Sequence, residues 1–200
     1  MRSTLLGLAL ALVASFAVAA PYNFGDLSMG SPKAKILVEE YASLSCSGCA
    51  QFNNEVFPAF KAKYVDTGQV RYVLKEYLTN PAAVASAGFI TARCAGAEKY
   101  FQVVDGLFRR QAEIYETGVL RVVLLEVAAQ AGLTEPQVTA CVKDPAAAEA
   151  LEARMQAAQA RGIEGTPTFY VNGVKVDAGV PTLEDLDTAI AAAGKTKRKR

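Results

Sequence analysis

Lys35-Ile36-Leu37-Val38-Glu39-Glu40-Tyr41-Ala42-Ser43-Leu44-Ser45-Cys46-Ser47-Gly48-Cys49 decides how the chain reads. Its first seven residues are rich in branched and apolar types and are bounded by Gly/Pro and Ser signals, which predicts a strand. Two cysteines separated by two residues follow at once. Beyond them Phe52, Val56, Phe57, Phe60 and Tyr64 recur at spacings near four and three, the pattern of a helix with one apolar face. Asp66-Thr67-Gly68 breaks it, and Val70 to Glu76 makes a second strand. Strand, helix and strand in about 40 residues form a βαβ unit, so parallel strands and a right-handed crossover are expected.

Working outward, residues 21 to 34 are turn-rich, with Pro21, Gly25, Gly30 and Pro32, and read as a lead-in. From Asn80 to about Arg161 the pattern is helical almost throughout. Breaks near Gly96, Gly118, Gly132 to Pro136 and Asp144-Pro145 predict four or five helices, and the proline of the last pair suits a first helical position. Thr168-Phe169-Tyr170-Val171 and Val174-Lys175-Val176 flank Asn172-Gly173, a pair that suits a type I′ hairpin turn. A final helix is expected from about Pro181 to Ala193. Neither strand-bearing part could bury its faces alone, so the two should share one sheet with the helical block inserted between them.

The N-terminus has Arg2 and then an apolar run from Leu5 to Ala20 ending near Ala17-Val18-Ala19, which reads as a secretory signal over residues 1–19. The competing reading is an uncleaved anchor, but the run is short for a span of about 20 residues. The mature protein is therefore expected to be soluble and outside the cytoplasm. Without Arg2 the charges balance, yet five cations lie in Lys195 to Arg200, so the body is acidic, with twenty acidic against fifteen basic residues. That sign argues against nucleic acid as a partner. The basic tail, 194–200, reads as a solvated end with at most weak attraction to an anionic membrane.

Hydrophobic content of 52% suits a helix-rich globule. There is no histidine, which excludes Ser-His-Asp and Cys-His hydrolases and any imidazole zinc site.

Cys46 and Cys49 stand after a strand and open a helix. There the free backbone N–H groups and the dipole favour an anion, which lowers the first thiol's pKa. Cys46 is the candidate nucleophile, and Cys49, one turn on, the resolving thiol; exchange would run through a mixed disulfide. Half a zinc site is a poor alternative, because Cys94 and Cys141 are isolated. An inert bridge is another, although so short a loop stabilises least. No metal and no cofactor are expected.

With Gly165-Thr166-Pro167-Thr168-Phe169 added, the chain resembles the DsbA-like branch of the thioredoxin superfamily over roughly residues 30–193. The resemblance implies an α/β thioredoxin fold, residues 30–79 and 162–193, carrying an inserted helical domain, residues 80–161. It makes Pro167 a cis proline facing the cysteine pair and Thr166 the source of peptide-binding backbone. It also makes Glu40 a buried acid that relays a proton for Cys49, with Lys75 as a possible partner. Some members carry a second disulfide in the helical block, which implies a structural Cys94–Cys141 bridge, worth about 4 kcal/mol in the loop-entropy model; a shuttling role for that pair is the lesser reading. Ser47-Gly48 departs from the Pro-His common in DsbA-like oxidases. It suggests a Cys46 pKa lowered less than in strong oxidases, and Thr166 points the same way.

The resemblance implies a periplasmic oxidase of exported, folding proteins with free cysteines, recycled by a membrane partner of the DsbB kind. Alternatives are an isomerase or reductase kept reduced by a DsbD-type partner, or a non-catalytic peptide-binding or chaperone module. A monomer is the default expectation.

Overall fold

The computed structural model describes residues 25–196. The expected signal over 1–19, and the end of the basic tail, lie outside the described residues. Strands β2, Ile36–Ala42, and β3, Val70–Glu76, run parallel and in register from Ile36 opposite Val70 to Ala42 opposite Glu76. β4, Thr168–Val171, adds antiparallel to the other side of β2 and carries β5, Val174–Lys175. With a short strand β1, Leu27–Met29, beside β3, the sheet order is β1-β3-β2-β4-β5. The two strand-bearing parts of the chain thus share one sheet, with β2 at its centre, and from Val38 to Ala42 both faces of β2 are buried, as in central parallel strands covered on both sides.

Asn172 and Gly173 have φ of 47° and 82°, the paired positive values of a type I′ turn. Asn172 is further anchored to β2, its Oδ1 accepting from the Leu37 N–H at 2.8 Å.

The lead-in contains a strand that the turn signals concealed. β1, Leu27–Met29, pairs antiparallel with β3. Three residues between glycines leave little periodicity to read, and the partner β3 supplies the order. Gly30 ends it at φ 86°, where an added Cβ would lie 2.3 Å from the Val70 carbonyl oxygen, so only glycine fits.

The helix that opens at the cysteines is not uniform. α-Helical turns α1, Ser47–Gln51, and α2, Phe57–Phe60, alternate with π-helical turns at Phe52–Val56 and Lys61–Val65. Pro58 accounts for the first widening: it has no N–H to give the preceding turn, and the Phe57 N–H bonds instead to the Phe52 carbonyl, five residues back. The apolar face survives. Phe52 and Phe60 are buried, and Phe52 meets Phe169 of β4 with ring centroids 4.6 Å apart.

Between β3 and β4 lie six helices rather than four or five: α3, Ala82–Cys94; α4, Tyr100–Arg109; α5, Gln111–Thr117; α6, Leu120–Gln130; α7, Glu135–Val142; and α8, Pro145–Ala160. The extra break, at Arg110, has neither glycine nor proline to announce it. Arg110 leaves helical geometry (φ −105°, ψ 12°) and pairs with Glu113 at 2.6 Å and Glu126 at 2.5 Å. Asp144 caps α8, accepting from the Ala146 N–H at 2.9 Å ahead of Pro145. The last helix, α9, covers Leu183–Thr196, three residues beyond its expected end, and its Thr182 and Asp185 cap each other reciprocally.

A buried charge cluster ties the helical block to the sheet. Glu76, at the end of β3, accepts from Arg93 of α3 at 2.6 Å, Tyr100 of α4 at 2.9 Å and Arg154 of α8 at 2.5 Å. Removing the buried Arg93 would strand the Glu76 charge away from water, so the cluster fixes how block and sheet meet.

Candidate active site

β2 runs into the Ala42–Ser45 turn, and that turn is held from three sides. Ser45 Oγ donates to the Thr79 carbonyl at 2.7 Å, and the Thr79 N–H donates to Ser43 Oγ at 3.1 Å. From α5, the buried Gln111 amide donates to the carbonyls of Leu44 at 2.8 Å and Cys46 at 3.1 Å. Tyr115, also on α5, donates its hydroxyl to the Ser45 carbonyl at 3.0 Å. Sequence reasoning missed Ser43, Gln111 and Tyr115; no local pattern marks a glutamine that reaches back across 67 positions.

The turn delivers Cys46 as the N-cap of α1, with extended geometry (φ −90°, ψ 120°) and its sulfur accepting from the Cys49 N–H at 3.3 Å. Its thiol also reaches the Thr166 carbonyl at 3.2 Å. The Cys46 pKa falls to about 6. The neighbouring Cys49 thiol, which can donate to the thiolate, is the main cause; burial opposes it, and the Thr166 side chain and the N–H groups of Cys49 and Gly48 add to the lowering. Cys49 is fully buried, and desolvation, then Cys46 and Glu40, push its thiol well above its ordinary range. Both are free thiols in this structure. Three residues apart, the two sulfurs have opposite tendencies: one is an anion at neutral pH, the other a proton holder.

Opposite them the Thr166-Pro167 peptide is cis. Pro167 packs against the motif so closely that a Cβ on Gly48 would come within 3.2 Å of Pro167 Cδ and 3.0 Å of Val180 Cγ2. Beside Pro167 an open groove of about 410 Å³ runs between Gly165–Thr168 and Lys175–Gly179. Thr166 Oγ1 is buried and has no hydrogen-bond partner while Cys46 is a thiol; once that sulfur ionises the hydroxyl can donate to it.

Behind Cys49, Glu40 is 2% exposed and accepts from the Tyr72 hydroxyl. Desolvation raises its pKa to about 8; the Tyr72 hydrogen bond opposes that rise and the Cys46 charge adds to it. Lys75 is not its partner. Side chains alternate along a strand, so Lys75, level with Tyr41, points to the face opposite Glu40; it pairs with Asp26 and lies 3.9 Å from Glu39. The structure therefore brings together Cys46, Cys49, Glu40, Thr166 and Pro167. It places Cys94 and Cys141 elsewhere, bonded to each other between α3 and α7 with Cα atoms 6.4 Å apart. Among the described residues no cluster of potential metal ligands occurs.

A helix-capping dithiol facing a cis proline, on a sheet interrupted by a helical block, defines a thioredoxin-fold dithiol protein of the DsbA-like architecture. Residues 23–192 match the thioredoxin family model, and the chain belongs to that family. Wolbachia pipientis alpha-DsbA1 superimposes with a TM-score of 0.75 at 28% identity, covering 87% of this chain and 94% of that one. Chlamydia trachomatis DsbA, at 21% identity and a TM-score of 0.68, shares the fold over 84% of this chain and 91% of its own. A Rickettsia bellii protein with the provisional name protein-disulfide oxidoreductase is 29% identical over 167 residues, 82% of this chain. The match spans 64% of that relative's length, less than two thirds of it.

Proposed function

We propose that the protein is an exported thiol–disulfide oxidoreductase that introduces disulfides into folding proteins through Cys46 and Cys49. The observation that carries this reading is the split between the two thiols, Cys46 lowered to about 6 and Cys49 raised and buried, beside a cis proline. In the oxidised protein a client thiolate attacks Cys46 Sγ. The Cys46–Cys49 bond breaks, a client–Cys46 disulfide forms, and the Cys49 sulfur leaves with the electron pair. Glu40, protonated at neutral pH, supplies the proton that Cys49 takes up. A second client thiolate then attacks the client sulfur, forming the client's disulfide and releasing Cys46 as a stable thiolate. Two electrons now reside on the dithiol, and a membrane partner of the DsbB kind removes them. Pro167 and the Thr166 backbone hold the client's chain meanwhile. The Cys94–Cys141 bridge acts as a structural staple, which suits an oxidising compartment.

The direction of exchange is the finer part. A Cys46 value of about 6 lies between the roughly 3.5 of DsbA and the roughly 7 of thioredoxin. A less stabilised thiolate gives a more reducing couple than the approximately −120 mV of DsbA. The same value favours, as second reading, an isomerase or reductase kept reduced by a DsbD-type system.

Acid trapping of cells followed by thiol alkylation separates the two. Cys46 and Cys49 mostly oxidised is the expected result, and a mostly reduced pair would establish the second reading. If Cys46→Ser leaves client folding unchanged, the enzyme reading fails and a peptide-binding module remains.

A further inference from the structure

The mechanism needs Glu40 to exchange a proton with Cys49, but a carboxyl buried among Val38, Phe169 and Leu74 tends to hold its proton too tightly to do so near neutral pH. Tyr72 supplies what is missing. It follows the alternation of β3 onto Glu40's face of the sheet, and its hydroxyl donates to Glu40 Oε2 in a site where both side chains are buried. Its ring is locked by Phe57, Phe60 and Phe101, with centroids 4.8, 6.2 and 6.2 Å away. The hydroxyl is thus aimed before any proton moves.

We infer that Tyr72 is a positioning residue for the proton step at Cys49: its phenol fixes the Glu40 carboxyl and stabilises the carboxylate left when Glu40 gives its proton to the Cys49 sulfur. The phenol keeps its own proton throughout. Burial and the adjacent Glu40 hold it far above neutral pH, so it acts as a dipole and not as a second acid. A neutral donor has an advantage over a cation here. A lysine beside Glu40 would keep the carboxyl ionised at rest, leaving no proton to give.

The ionisable groups around Glu40 are few. α1 contributes Cys46 and Cys49, and β3 contributes Tyr72. Tyr100 of α4 lies behind Tyr72, itself bound to Glu76 with Arg93 and Arg154. β4 presents only Phe169 opposite Glu40. Tyr72 also lines a groove of about 310 Å³ on its far side, where Lys61, Asp105 and Arg109 are the charged groups.

The inference rests on the oxidoreductase reading, and the experiment keeps the two apart. In the full chain, Tyr72→Phe retains the aromatic packing and removes only the donor. The Glu40 titration, followed by its carboxyl stretch in infrared difference spectra against Glu40→Gln, should move upward by about one pH unit, the size expected for one hydrogen bond to a charged acceptor. The pH profile of mixed-disulfide formation with a cysteine peptide should move with it, while the Cys46 thiolate absorbance keeps its midpoint. In a Glu40→Gln background Tyr72→Phe should change neither. Site-specific 3,5-difluorotyrosine at position 72, a stronger donor of nearly the same shape, should move both profiles down, and it serves if the phenylalanine variant does not fold. An unmoved Glu40 titration overturns the inference. Loss of Tyr72 that slows exchange equally at every pH would make the residue merely structural. If Cys46→Ser leaves peptide exchange intact, the oxidoreductase reading falls instead, whatever Tyr72 does.

Discussion

The chain holds two cysteine pairs whose fates differ because of where the fold puts them. Cys46 and Cys49 sit on one turn at the edge between sheet and helical block, with Cys46 half-buried and its sulfur accepting from the Cys49 N–H. Cys94 and Cys141 come from 47 positions apart and cross-link α3 to α7. The first pair closes a loop so short that its bond constrains the unfolded chain little, and the fold stabilises its reduced state. The second closes a long loop, and the constraint is its contribution. On the function proposed above, the same element serves as reagent in one place and as staple in the other. Backbone donors and loop length decide between them.

Removing the reagent should give the largest effect on activity. Cys46→Ser is expected to lower disulfide transfer to a reduced client at least about 1,000-fold, since a serine hydroxyl is not ionised at neutral pH, with the urea midpoint scarcely changed. Removing the staple should do the reverse. The double variant Cys94→Ala/Cys141→Ala is expected to lose on the order of 4 kcal/mol in urea unfolding, with the Cys46 thiolate midpoint unmoved; a shift of that midpoint would mean the two pairs are coupled.

The active site also costs the fold stability. Glu40 has a folded pKa of about 8, above its ordinary 4.5. A raised value means that its stabilising contribution is complete below pH 4.5 and is lost as pH rises through about 8. Glu40→Gln should therefore stabilise the reduced protein on the order of 5 kcal/mol at pH 8.5 and by nothing at pH 4, while slowing the Cys49 step. Equal stabilisation at both pH values would refute the assignment. The smallest effect is expected at Gly48. Gly48→Ala places a methyl against Val180 and Pro167, and should slow peptide exchange several-fold with about 1 kcal/mol of destabilisation; Val180→Ala in the same chain should restore most of both.

Much of this was legible in the chain itself. The strand to Tyr41, the Cys46 helix start, β3 and the Asn172-Gly173 turn each carry a local signal, because periodicity, capping and φ > 0 chemistry act over a few residues. The resemblance carried Pro167, Thr166 and Glu40, none of which has local meaning alone. What stayed hidden depends on distant partners. β1 is too short to show periodicity, and the Arg110 break rests on ion pairs to Glu113 and Glu126. Gln111 and Tyr115 act on the cysteine turn from another helix.

The chemistry could be read from the residues without the fold: a Cys-x-x-Cys at the junction of strand and helix, with no histidine to suggest anything else. How that chemistry is tuned depends on contacts that exist only once the chain is folded. Tyr72 reads as one more strand aromatic and Lys75 as a candidate partner for Glu40, until the pairing of β2 with β3 puts Tyr72 on the acid's face and Lys75 on the other. Burial, which no local pattern reports, then pushes Cys49 above neutral pH, while the hydrogen bonds to its sulfur hold Cys46 below it.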